Sequence, residues 1–169
     1  QYPNRICINE YTYKDIYGGV VHVASELTPL ESSRVAILSD NSVTMTIYVL
    51  AAMLAHKEVL LLNVHLKPNE IENQLKQLGI TTVLHSKERR NQLTSSLRAV
   101  EFEPLESILS NLNLEDTFDW NFDDADIAAI MNTSATTGQF KSVPLRWGQI
   151  RAHVQASQEV LGKTEQDNW

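Results

Sequence analysis

The sequence predicts an α/β domain, a parallel-rich sheet covered by helices, on three observations. Short, apolar, β-rich runs alternate with helix-length segments, giving strand, helix, strand, helix, strand from Ser33 to Ser86. Those helical segments are long enough to cross a sheet and return, so the strands they join run parallel. A 43% hydrophobic content over 169 residues is enough for one domain with a real core.

Thr12 to Leu27 opens the order. Ile16, Val20, Val23 and Leu27 recur by threes and fours, which predicts a helix, and Thr12 with Asp15 resembles a capping box with Asp for Glu. Gly18 and Gly19 weigh against it, at about 1 kcal/mol each relative to alanine. Ser33–Asp40 is a buried strand. A helix capped by Asn41-Ser42 runs to Lys57, apolar nearly all round and therefore buried. Glu58–Val64 is the next strand. Pro68 in the first turn, the early acids Glu70 and Glu72, one face of Ile71, Leu75 and Leu78, and a stop at Gly79 define a further helix. Thr81–Ser86 is a third strand.

Beyond Arg90 the pattern weakens. Ser96–Leu105 is read as a strand, and 111–126 as an acidic linker. Its carboxylates (Glu115, Asp116, Asp119, Asp123, Asp124, Asp126) suit solvent, although a magnesium site would use the same side chains. Asp126–Met131 and Lys141–Trp147 are strands, and Gly148 opens a helix that stops at Gly162. The polar start and the ending at Trp169 suggest a piece of a longer protein.

Charge and cysteine count exclude several classes. A net charge of −7 with no basic stripe argues against nucleic acid. The cluster Lys87, Arg89 and Arg90 is expected as a solvated loop. One cysteine, Cys7, rules out a disulfide framework, fits a reducing cytoplasm and is expected as a small hydrophobe. The histidines (His22, His56, His65, His85, His153) form no His-x-x-x-His pair, and no acidic-His cluster in the sequence points to a metal. The longest apolar stretch, Val43–Ala55, falls short of the roughly 18 to 20 residues of a membrane span.

The chemistry gathers at "TSATTGQFK", residues 133–141. Thr133, Ser134, Thr136 and Thr137 offer hydroxyls, Gly138 lets backbone amides turn inward, and Lys141 adds a point charge. This set suits phosphate, but the same composition also makes a plain hairpin or surface turn. It is not a Walker A loop, because Gly138 and Lys141 are separated and a strand follows.

The segment resembles the Thr-Ser-Gly-Thr-Thr-Gly-x-Pro-Lys phosphate loop of the adenylate-forming superfamily, which includes acyl-CoA ligases, luciferases and peptide-synthetase adenylation domains. "YTYKDI" and the run from "VAILSD" to "LNVHLKPNEI" match in order and spacing, so the likeness covers nearly the whole chain. "IMNTSATTG", "KSVP" and "LGKTEQDNW" are most similar to the bacterial o-succinylbenzoate–CoA ligases of staphylococcal type, which serve menaquinone biosynthesis.

The resemblance implies that 1–169 is the N-terminal part of an AMP-binding (adenylation) domain, the first subdomain of the large N-terminal domain. It implies a carboxylic acid, ATP with Mg2+, and coenzyme A as substrates, with no tightly bound cofactor and a cytoplasmic enzyme. Thr133, Ser134, Thr136, Thr137, Gly138 and Lys141 would hold ATP phosphates, while the catalytic residues would lie after Trp169, leaving this chain inactive alone. A homo-oligomer is compatible with it. Two alternatives stay open: a ligase for a fatty or other aryl acid, and a nucleotide-binding module without chemistry. Ala135 replaces the family's first glycine and Phe140 its proline. If position 135 needs a positive φ, alanine costs about 1 kcal/mol or more.

Overall fold

The computed structural model describes residues 3–114, 117–134 and 140–161, with the side chain of Ser134 outside that set. A small hairpin comes first, β1 (Ile6–Ile8) pairing antiparallel with β2 (Tyr11–Thr12) through Asn9 at φ 52°. Strands this short leave no alternation to detect. Helix α1 (Tyr13–Leu27) follows, and its capping box is formed: Asp15 N donates to Thr12 Oγ1 and Thr12 N to Asp15 Oδ2. β3 (Arg34–Leu38), α2 (Val43–Leu54), β4 (Glu58–Leu61), α3 (Pro68–Leu78) and β5 (Thr82–His85) then run in the expected order. Ser42 caps α2 and Gly79 ends α3 in the left-handed region.

β3, β4 and β5 are shorter than the apolar runs that announced them, whereas the strand expected over Asp126–Met131 runs on to Ser134. β4 stops at Leu61, and two residues on Asn63 Oδ1 accepts from His65 N, turning the chain toward α3. The basic cluster expected as a solvated loop is a 3-10 turn, Lys87–Gln92, in which Arg89 binds Asp40 through both Nε and Nη2. The strand expected over Ser96–Leu105 is β6 (Arg98–Glu101); Pro104 then opens a short helix, α4 (Leu105–Ser110), of too few turns to show periodicity. β7 (Ile127–Ser134) and β8 (Phe140–Arg146) form a hairpin, and α5 (Trp147–Leu161) follows.

The main sheet has the order β6-β5-β3-β4-β7-β8, parallel except for the antiparallel β7–β8 pair. Alternation along the strands makes two cores. Val35, Ile37, Val59 and Leu84 face α1 and α2, whereas Ala36, Leu38, Leu60 and Val83 face α3. Each large aliphatic chain so buried contributes about 1.5–3 kcal/mol. Close approach explains the glycine pair: a Cβ on Gly19 would stand 3.0 Å from Ile108 Cγ2 and 3.2 Å from Ile47 Cδ1, so the α1–α2–α4 contact needs hydrogen there. Cys7 packs part-buried on that core, where burial pushes its thiol up.

The acidic segment keeps Asp119, Asp123, Asp124 and Asp126 in solvent while its apolar residues hold the fold. Leu112 lies over Gly18, Trp120 stacks on Tyr17, and Phe122 packs between His56 and Trp147.

Candidate functional site

Topology picks out one edge of the sheet. From β3 the chain leaves to α2 on one face, and from β4 to α3 on the other, so the crevice between their carboxyl ends is a topological switch point. β7 runs parallel beside β4, with Ala129 opposite Val59 and Ile130 opposite Leu60. Since β4 ends at Leu61 and β7 continues to Ser134, the hairpin projects about 10 Å beyond the neighbouring strand at that edge. Asp40 and Arg89, on the loops after β3 and β5, close the same edge on its other side.

Thr133 and Lys141 lie within the ladder and face each other as cross-strand partners, both exposed. Thr133 Oγ1 donates to the Lys141 carbonyl at 3.2 Å. Ser134 pairs with Phe140 in the last described rung. Thr136, Thr137 and Gly138, with Ala135, lie outside the described residues. Of the two alternatives the sequence left open, the described rungs Thr133–Lys141 and Ser134–Phe140 form the hairpin.

Three polar residues that the sequence did not single out seat this hairpin. Ser142 Oγ donates to Asn132 Oδ1 at 2.7 Å, and Asn132 Nδ2 donates to Gln74 Oε1 at 2.6 Å. Gln74 is buried on α3 beside Leu75. The chain of bonds fixes the rung just below Thr133–Lys141 to the helix on that face of the sheet. A polar residue between Ile71 and Leu75, and another at the inward position after Ile130, were the signals available. A separate groove of about 680 Å3 is walled by Arg5, Tyr13, Lys14, Tyr17 and Leu114 among others, with no described residue of β7 or β8 in its wall.

The model of the AMP-binding enzyme family matches residues 1–169. The chain belongs to the AMP-binding enzyme family. This AMP-binding chain is 42% identical to the 2-succinylbenzoate–CoA ligase of Lactococcus lactis subsp. lactis over 170 residues, which are 99% of the chain and 36% of that protein. It is 30% identical to the corresponding Staphylococcus aureus ligase over 182 residues, covering 94% and 37%. It thus spans little more than a third of these curated relatives.

Among solved structures, o-succinylbenzoate coenzyme A synthetase from Bacillus subtilis in complex with AMP superimposes with a TM-score of 0.81 at 23% identity, over 97% of this chain and 43% of that one. The same enzyme with ATP and magnesium ion gives 0.75 at 23% identity, over 94% and 43%. Likeness at this identity shows the fold: an α/β sheet flanked by helices, as the AMP-binding family predicts. No helix among the described residues of the AMP-binding chain is long and apolar enough to cross a membrane.

Proposed function

We propose that this AMP-binding chain is the N-terminal part of an AMP-forming acid–CoA ligase whose acid is o-succinylbenzoate, and that residues 133–141 hold the phosphates of its ATP. The observation that carries the site is the seated hairpin, which brings Thr133 and Lys141 together at the carboxyl edge of the parallel strands. The similarity to 2-succinylbenzoate–CoA ligases carries the choice of acid.

In the proposed reaction a carboxylate oxygen of the acid attacks the α-phosphorus of Mg·ATP. The bond from that phosphorus to the bridging oxygen breaks, giving acyl-AMP and pyrophosphate. The thiol of coenzyme A gives up its proton to solvent, its sulfur adds to the acyl carbon, and AMP leaves with the former carboxylate oxygen, its phosphate having been the activating group. Negative charge grows on the departing pyrophosphate, and preorganised donors aimed at such charge are usually the largest electrostatic contribution. Lys141 supplies the cation. Thr133, Ser134, Thr136 and Thr137 supply hydroxyls and, with Gly138, backbone amides. Segment 111–126 acts as an acidic connector within the domain. The acyl pocket and the catalytic residues belong to the part of the enzyme outside this chain, which alone is inactive. A cytoplasmic ligase agrees with a single half-buried thiol.

ATP–pyrophosphate exchange by the longest product of the gene tests this, with o-succinylbenzoate, a fatty acid and benzoate offered separately. Exchange is expected with o-succinylbenzoate alone. Exchange with a different acid keeps the ligase and overturns the substrate; no exchange with any acid leaves nucleotide binding without adenylation.

A further inference from the structure

On the helical face built by α1, α2 and α4, away from the β7–β8 hairpin, three metal-type ligands converge. His22 and Glu26 are one turn apart on α1, and Glu103 comes from the β6–α4 connection. Each offers one ligand atom, and the three atoms lie within 4.8 Å of one another. His22 Nε2 is 3.0 Å from Glu103 Oε2, with both side chains part-buried, while Glu26 stands at the solvent rim. The trio is invisible along the chain, because Glu103 lies 81 positions after His22.

The Glu103 carboxylate is held before any ligand arrives. Ser107 Oγ donates to its other oxygen at 2.5 Å, and the Glu103 amide donates to Tyr48 Oη, itself stacked on Phe102. Both oxygens of the Glu103 carboxylate are thus engaged, one by Ser107 and the other by His22. A carboxylate bonded on its far oxygen is the outer-shell arrangement that orients metal ligands.

We propose that His22 Nε2, Glu26 and Glu103 Oε2 form a binding site for a divalent transition-metal ion of the zinc type, completed by water. One imidazole and two carboxylates match the nitrogen and oxygen donors such ions accept. Ligand bonds of about 2.1 Å in tetrahedral geometry place donor atoms about 3.4 Å apart. His22 and Glu103 need to part by only a few tenths of an ångström, and the exposed Glu26 side chain swings in to complete the set. The ion would take the place of the His22–Glu103 hydrogen bond, neutralise two carboxylates and clip α1 to the segment that leads into α4. The site is independent of which acid the enzyme activates.

Equilibrium dialysis of the full-length gene product against Zn2+, without ATP, tests the site, with Co2+ absorption as a second probe. The wild type is expected to bind one equivalent in the micromolar range and to gain several degrees in Tm at saturating Zn2+. His22→Ala and Glu26→Gln should each weaken that equivalent by at least about tenfold, and Ser107→Ala by about 10-fold or more through loss of orientation. Exchange activity measured without Zn2+ should stay at the wild-type level. Glu26→Gln changes only an exposed side chain, so it remains informative if His22→Ala does not fold. Zn2+ affinity equal in wild type and Glu26→Gln, or no binding to the wild type at about 100 μM, would overturn the site.

Discussion

Lys141 carries the only charge between Thr133 and itself, and it stands exposed one rung above the Asn132–Ser142 pair that a part-buried polar network holds in place. Replacing it by alanine removes a cation without opening a cavity or freeing a buried partner. The expected outcome is a Tm within about 1 °C of wild type and an exchange rate lower by about 100-fold, the scale of losing one preorganised donor. Lys141→Arg keeps the charge but spreads it over a planar fork, and should recover part of the loss. Gln74 is the opposite case. Gln74→Leu leaves Asn132 Nδ2 without its acceptor in a part-buried position, at a cost of about 1–3 kcal/mol. Because the rung above loses its tether, KM for ATP should rise as the urea midpoint falls, and steady-state kinetics beside a urea titration would show both.

The elements differ in how plainly the sequence declared them. From Ser33 to Ser86 the type and order of each strand and helix were legible, since apolar runs, N-caps and the Gly79 stop pointed the same way, while the ends of the strands and of α2 fell short of the apolar runs. The hairpin β1–β2 and helix α4 were not, being too short to set up a period. Lys141 and Thr133 were legible from their chemistry. Asn132, Gln74 and Ser142 were not, because their worth lies in partners 58 and 10 positions away, which no local pattern reports. Gly19 belongs with these. As a helix interior residue it counts against α1, and its value is legible only once Ile47 and Ile108 are seen against it. Gly19→Ala improves helix propensity, yet should destabilise by about 1–3 kcal/mol because the added methyl overpacks that contact. A shift of the urea midpoint to lower concentration at unchanged m-value would check it.

At the scale of the molecule, two carboxylates couple the helical face to pH. Asp15 is held below its ordinary value by the Thr12 hydrogen bonds of the capping box. Glu103 is held below its own, its burial being outweighed by Ser107 and His22. A carboxyl lowered in the folded state contributes stability that is present above its unfolded value, near ~4, and is lost as pH falls through the folded one. Stability should therefore hold at neutral pH and decline below about pH 4.5. In the double variant Asp15→Asn, Ser107→Ala that decline should be shallower, as urea titrations at successive pH values would show. Beside Phe122, on which its Trp147 stacks, α5 buries none of its residues and leaves Val154, Val160 and Leu161 exposed as an apolar margin.

The Asn132–Ser142 rung also works as a ruler. Side chains in a strand alternate between faces, so sliding β8 by one position against β7 would turn Lys141 to the α3 side and bring Val143 to the rung that Gln74 tethers. The polar tether makes that slip costly and so keeps Lys141 on the face away from α3. One glycine inserted between Lys141 and Ser142 should therefore abolish exchange, although it removes no side chain from the hairpin.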